Sequence, residues 1–535
     1  MARHRSQNRP ATGGTHGCRR THSRAYPMTY REPAGAIIAT LLATLILGTL
    51  AAVAWQARGL SGLGPWDWQA VRFTLWQAFV SAALSALLAI PVARALARRR
   101  FRGRAALVTL LGAPFILPVI VAIMGLISVF GRNGTINEGL RLLGLPEIGI
   151  YGWQGVILAH VFFNLPLSVR LILQGWQAIP AERFRLAESL GFTPRDSLRH
   201  LELPMLRAVL PGVWLAVFLV CLTSFAVALT LGGGPSATTV ELAIYQAFRF
   251  DFDLGRAAML GLVQIALSLG AMTLAFRITI PAAFGAGMQE THTPHAPRGW
   301  RRGADMLAIL LAAVFLLWPI LSVTANGLPR IPALPLEVWS AAARSIVMAI
   351  CSAFLALTLS LILALEVARG NSRWIESAGM LPIVASPLVL GTGLFILLRG
   401  WFAPQTLALP VTVAINAIMA LPFGLRALIP AARILQADYG RLAASLDMRG
   451  AARLRYLTLP RLARPLGFAG GLAAALAMGD LGVITLFAQE QPTLPLKLYQ
   501  LMNSYRMEDA AACAILLMLI SFALFWIFDR GGRLA

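Results

Sequence analysis

Residues 185–204 read RLAESLGFTPRDSLRHLELP, and residues 441–460 read RLAASLDMRGAARLRYLTLP. At an offset of 256 the two stretches agree at ten of twenty positions. The same offset pairs Leu165-Pro166 with Leu421-Pro422 and Arg170 with Arg426, and a small shift pairs Ile244-Tyr245-Gln246 with Leu498-Tyr499-Gln500. A register held from an apolar stretch through the polar loop that follows it is the mark of an internal repeat. The chain therefore reads as two homologous halves, each carrying one arginine-rich loop that ends in Leu-x-Leu-Pro.

What surrounds the loops is apolar. Of 535 residues 58% are hydrophobic and 13% charged, with a mean hydropathy of +0.70. A water-exposed surface needs about a quarter of the chain charged, so most of this surface faces lipid. A spanning helix needs about 20 apolar residues. Segments of that kind lie near 34–55, 73–96, 105–129, 152–175, 206–231 and 257–280, then near 304–325, 343–366, 376–399, 405–430, 463–488 and 509–528. The expected fold class is an all-α integral membrane protein with about twelve transmembrane helices, arranged as two homologous six-helix halves of the same orientation.

The basic residues set that orientation. Arg98, Arg99, Arg100, Arg102 and Arg104 join spans 2 and 3; Arg183, Arg185, Arg195 and Arg199 join spans 4 and 5; Arg433, Arg441, Arg449, Arg453, Arg455 and Arg461 join spans 10 and 11. The alternate loops carry acids, among them Asp251, Asp253, Glu508 and Asp509. The positive-inside bias puts the arginine-rich loops and both termini in the cytoplasm. The net charge of +23 then belongs to basic loops at a membrane and not to a nucleic-acid partner.

Residues 1–33 read as a polar, basic, disordered tail, with translation starting at Met1 or Met28. The run from Ala34 to Trp55 is too long and uniform for a signal-peptide core. The organisation expected is 34–280 for the first half (core about 72–277), 281–303 for a cytoplasmic linker, 304–528 for the second half (core about 342–527) and 529–535 for a C-terminal tail. Cys18, Cys221, Cys351 and Cys513 stand alone and no HExxH or CxxC spacing occurs, so no metal site and no cofactor is expected.

The loops carry the functional signal. Leu186, Leu190, Leu198, Leu201 and Leu203 form an apolar side opposite arginines, closed by Pro204. On periodicity alone this suits a helix lying along the membrane surface as well as a docking element. The spacing from Gly191, nine residues, to Leu201-Glu202-Leu203-Pro204 resembles the Glu-Ala-Ala loop of binding-protein-dependent ABC permeases of type 1. Ala187 matches the head of that motif in the first copy. In the second, Ala443 matches, Asp447 replaces the glycine, and Leu457, Leu459 and Pro460 complete the tail.

The resemblance implies that each loop docks on a cytoplasmic ATPase, hence two ATPase copies. The chain has no nucleotide loop of its own: its single lysine, Lys497, is followed by Leu498 and not by Ser or Thr. Further stretches, VRFTLWQAF (71–79), YGWQGVILAHVFFNLP (151–166), LGGGPSATTVELAIYQAF (231–248) and GDLGVITLF (479–487), are similar to the thiamine and thiamine-pyrophosphate permeases of Gram-negative bacteria. The similarity runs from about 35 to about 528. It implies an inner-membrane permease subunit, a periplasmic substrate-binding protein, a lipid surround and no catalytic residue.

Four polar residues within the apolar segments are candidates for the pathway. His160 and Asn164 share one helix face at i, i+4; Asn416 is the repeat equivalent of His160; Asp480 is expected in mid-helix. Interhelical hydrogen bonding and, for Asp480, a structural role stand beside the transport reading. The segment 231–256, opened by Gly232-Gly233-Gly234-Pro235, is expected to leave the helix and either fold back into the mouth of the pathway or meet a substrate-binding protein, with an ordinary loop as the competing reading. Ferric-iron permeases share the duplicated layout, and ion-coupled secondary carriers share the repeat; neither explains the long similar stretches.

Overall fold

The computed structural model describes residues 34–57, 63–111, 116–277, 299–370, 372–401, 404–487 and 491–534. The expected tail 1–33, with Cys18 and Met28, and residues 281–298 of the expected linker lie outside them. The described residues are helical, with no strand among them. The first half contains α1 (Ala34–Gln56), α2 (Pro65–Arg98), α3 (Arg104–Leu110), α4 (Val119–Phe130), α5 (Thr135–Leu142) and α6 (Trp153–Gln177). It continues with α7 (Ala181–Ser189), α8 (Pro194–Ser197), α9 (Leu203–Leu222), α10 (Ala226–Leu231), α11 (Val240–Arg249) and α12 (Leu254–Arg277).

The second half repeats the plan: α13 (Trp300–Gly327), α14 (Leu336–Gly370), α15 (Arg373–Met380), α16 (Pro387–Leu398) and α17 (Pro404–Ser445). It ends with α18 (Gly450–Arg453), α19 (Leu459–Met478), α20 (Gly482–Phe487), α21 (Leu494–Asn503) and α22 (Met507–Leu534). Helices α9 and α10 coincide with α19 and α20 at the offset of 256 at both ends of each helix.

Among the described residues eleven helices are long and apolar enough to cross a membrane, and a bent pair makes twelve. Several spans differ from the sequence expectation in shape. The stretch 105–129 is not one helix: α3 ends at Leu110, and the spanning segment is Val119–Leu142, starting after Pro118. The segment 376–399 bends by 97° between Arg373–Ile383 and Pro387–Leu398, where Ser386 caps a helix that opens on Pro387. The segments 206–231 and 463–488 break at 223–225 and 479–481. Conversely, α17 runs 42 residues through Pro410, Pro422 and Pro430, far past the expected end at 430; neighbouring helices make internal prolines tolerable in a membrane. Helix α22 continues through 529–534, where a tail was expected.

The halves exchange their first helices. Helix α1 packs on α14, α15 and α16 of the second half, and α13 packs on α2 and α4 of the first. Glycine permits both crossings. A Cβ on Gly125 of α4 would stand 2.8 Å from the Pro319 carbonyl oxygen of α13, and one on Gly393 of α16 would stand 2.5 Å from the Thr49 carbonyl oxygen of α1. Gly125 and Gly393 occupy matching positions, each the seventh residue of its helix. Close backbone approach at small residues is how helices associate where lipid removes the hydrophobic drive.

Candidate functional site: two coupling loops and the seam between the halves

The two loops share a backbone more closely than their side chains suggest. In the first, Gly191 has φ of +69°, the Gly191 N–H donates to the Glu188 carbonyl, and the Phe192 N–H donates to the Ala187 carbonyl. In the second, Asp447 has φ of +48°, its N–H donates to the Ala444 carbonyl, and the Met448 N–H donates to the Ala443 carbonyl. Both are Schellman caps. The motif glycine is the left-handed residue of that cap, and aspartate is among the few others that visit this region. Ala187 and Ala443 are buried, because each sits at the foot of the cap against the protein. Leu186, Leu190, Leu442 and Leu446 are exposed.

Beyond the cap each loop re-enters the bundle through one π-helical turn, at Leu198–Glu202 and Leu454–Thr458. The Leu203 N–H donates to the Leu198 carbonyl and the Leu459 N–H to the Leu454 carbonyl. The next residue in each copy, Pro204 or Pro460, has no N–H with which to continue the ladder. The ends of the two Leu-x-Leu-Pro motifs thus open α9 and α19 in their first turns, where proline is tolerated. Leu201, Leu203 and Leu457 are half-buried, while Pro204, Leu459 and Pro460 are exposed.

What lies beneath the loops differs. Glu202, 3% exposed at its side chain, receives Arg94 at 2.8 Å and Arg98 from the end of α2. Arg99 continues the network to Asp305 of α13 at 2.8 Å. The repeat equivalent of Glu202 is Thr458, buried and uncharged. In that half Arg453 donates to Gln436 at 2.7 Å, and Arg461 lies over the Tyr439 ring at 4.6 Å. The first half also breaks its helix at Pro180, between α6 and α7, where the second half has Gln436 and α17 continues unbroken. At the far end of α2 the Arg256 guanidinium holds the buried Asp67 at 2.8 Å.

The candidate pathway residues separate into two groups. His160 is buried, with Nδ1 3.4 Å from Ser81 Oγ; Asn164 donates to the His160 carbonyl at 2.8 Å and to Cys221 Sγ at 3.3 Å. These contacts stay inside the first half. Asp480 is not in mid-helix: it lies in the break between α19 and α20. Its Oδ1 accepts the Gly482 and Val483 N–H groups at 3.0 and 3.3 Å, and its Oδ2 accepts Asn416 Nδ2 at 3.5 Å. Asp480 therefore caps α20, with Asn416 steadying it, and the residue after this break faces Phe225 of the other half.

The glycine-opened segment leaves the helix as expected, but it does not stay a loop. After Leu231 it passes a 3₁₀ turn at Pro235–Ala237 and enters α11, most of which is buried. Helix α11 packs on α16 and α20 of the second half. The Phe248 ring meets Phe395 at 4.8 Å, and Phe395 meets Phe487 at 5.8 Å. Sequence reasoning missed Glu202, Glu241 and Ser386, whose partners lie a hundred or more residues away along the chain.

Paired membrane bundles with exchanged first helices and two like-built exposed loops define a duplicated ABC-type permease. Residues 85–280 match the family described as the binding-protein-dependent transport system inner membrane component. The thiamine transport system permease protein ThiP of Brucella abortus is 41% identical over 532 residues, covering 96% of this chain and 97% of the relative. That of Escherichia coli K12 is 39% identical over 513 residues, covering 93% and 96%. The sulfate transport system permease protein CysT of Salmonella typhimurium is 30% identical over 251 residues, covering 45% of this chain and 88% of the relative. The chain belongs to the family of the thiamine transport system permease proteins, multi-pass inner-membrane transport subunits and not enzymes.

Proposed function

We propose that this chain is the permease through which thiamine and its phosphate esters cross the inner membrane, delivered by a periplasmic binding protein and driven by two copies of a cytoplasmic ATPase. The observation that carries the substrate is the match to thiamine permeases at 39–41% identity over more than nine-tenths of the chain. The two loops capped at Gly191 and Asp447 present exposed leucines, and each docks one ATPase subunit. Ala187, Gly191, Leu201, Leu203 and Pro204 shape the first loop; Ala443, Asp447, Leu457, Leu459 and Pro460 shape the second. The arginine-rich loops and both termini face the cytoplasm, and the remaining helix surface faces lipid.

The units 34–280 and 304–528 act as the two permease halves, and substrate passes between them. Asp480 and Asn416 hold the α19–α20 break at the edge of that path, whereas His160 and Asn164 brace the first bundle. The test is growth of a thiamine auxotroph on limiting thiamine with this chain deleted and then restored. Growth and uptake that fail in the deletion and return with the chain support the assignment. Unchanged thiamine uptake with lost iron uptake overturns it in favour of a ferric-iron permease.

A further inference from the structure

Two acidic side chains at the seam between the halves, Asp480 and Glu241, are satisfied unequally. Asp480 accepts three hydrogen bonds and caps a helix. Glu241, the second residue of α11, is 1% exposed; its Oε2 accepts Ser386 Oγ of the other half at 3.1 Å, and its Oε1 has no partner. A buried carboxylate short of donors is destabilising unless a cation or further hydrogen bonds meet it.

The duplication supplies an internal control. Helix α11 is pinned by Thr74 Oγ1, which accepts the Val240 N–H at 2.9 Å; its counterpart α21 is pinned by Ser345 Oγ, which accepts the Leu494 N–H at 2.7 Å. The position after each pinned residue is Glu241 in one half and Pro495 in the other. The same scaffold is thus built once with the carboxyl and once without it, so the fold does not call for the charge. Ser386 calls for an acceptor and not for a charge: its hydroxyl accepts the Val389 N–H at 3.1 Å and donates its one hydrogen to Glu241, a role any neutral acceptor would fill.

Glu241, Tyr245 and Phe248 lie at i, i+4 and i+7, on one face of α11. The Tyr245 ring meets Phe225 at 5.4 Å and the Phe248 ring meets Phe395 of the second half at 4.8 Å. A carboxylate with aromatic rings on the same helix face is the set of groups that holds an organic cation. A quaternary ring nitrogen carries no N–H to donate, so charge and ring faces are the handles available for it. The geometry points to Glu241 as the residue that receives the positively charged thiazolium ring of the substrate as it crosses the seam, with Tyr245 and Phe248 at its flank. This deepens the thiamine reading and rests on it.

Glutamine distinguishes this role from a structural one, because it has the shape of the neutral acid and still accepts from Ser386. The full permease is purified with its ATPase and binding protein, reconstituted in vesicles, and assayed for ATP-dependent uptake of labelled thiamine. Glu241→Gln is expected to assemble normally and to lower uptake by about tenfold or more, the scale of one lost charge-assisted contact. Glu241→Asp, which keeps the charge, is expected to recover part of that loss. Uptake by Glu241→Gln equal to the unaltered permease overturns the proposal. So does equal loss in Glu241→Gln and Glu241→Asp, which marks a fit of shape and not of charge. Vesicles in which even the unaltered permease moves no thiamine overturn the substrate reading itself, and this inference with it.

Discussion

Glycine and aspartate at equivalent positions, Gly191 and Asp447, adopt the same left-handed conformation for the same reason: each closes a Schellman cap that turns the chain toward the bundle. Adding a Cβ there is unfavourable by about 1 kcal/mol, and nothing lies within 4 Å of the site that a methyl group would strike. Gly191→Ala is therefore expected to lower the stability of the loop by that amount through backbone strain alone. Asp447→Gly is expected to leave it level or slightly raised. Thermal unfolding of the purified permease in detergent measures both, and an undisturbed midpoint for Gly191→Ala would count against the cap. Asp480 offers a second test: Asp480→Ala removes the acceptor for two helix N–H groups and is expected to cost about 1 kcal/mol, whereas Asp480→Asn keeps an acceptor and most of the stability. At this scale the sequence was legible where spacing encodes backbone, as in Leu203-Pro204 and Leu459-Pro460. It was opaque where a side chain's partner is remote: nothing near Glu202 in the chain announces Arg94 and Arg98, and hydropathy cannot tell that Asp480 lies in a break and caps the helix that follows.

Among elements, the paired π turns at Leu198–Glu202 and Leu454–Thr458 set how each arginine-rich loop rejoins the bundle. A π turn holds one residue more than the α-helix it interrupts. Deleting Arg199 or Arg455, exposed residues within those turns, is expected to restore α geometry and take away the widened turn through which the loop rejoins the helix. Transport is then lost in either variant while the chain still inserts; retained ATP-driven uptake in both would remove the π turns from the coupling path. The anchors below the loops differ, and so does their sensitivity. Glu202→Thr, which copies the second half's Thr458, leaves Arg94 and Arg98 without their acid and is expected to destabilise the first loop by about 3 kcal/mol. Limited proteolysis would show it as cleavage near 185–204 and not near 441–460. Hydropathy located the spans but not their breaks, because a window average does not register a 97° bend between two apolar segments.

The whole molecule is two bundles that each complete the other. Because α1 belongs to the second bundle by packing and α13 to the first, a chain divided within 278–298 is expected to yield two fragments that co-purify when expressed together. Gly393→Leu, which wedges α1 from α16, is expected to abolish that association. Fragments that insert but never associate would refute the exchange. The repeat made the duplication readable from sequence, yet the exchange was not, since hydropathy says which segments enter lipid and nothing of which neighbour they meet. The same exchange bears on biosynthesis. Between the end of α1 at Gln56 and the start of α14 at Leu336 the ribosome adds 280 residues. At about 5–20 residues per second that takes on the order of tens of seconds. Until then the first helix has only α12 of its own half to pack on, and the face that will meet α14, α15 and α16 is open to any nascent copy nearby. Crowded synthesis of this chain thus favours intertwined pairs, in which the early helix of one molecule settles into the late helices of another.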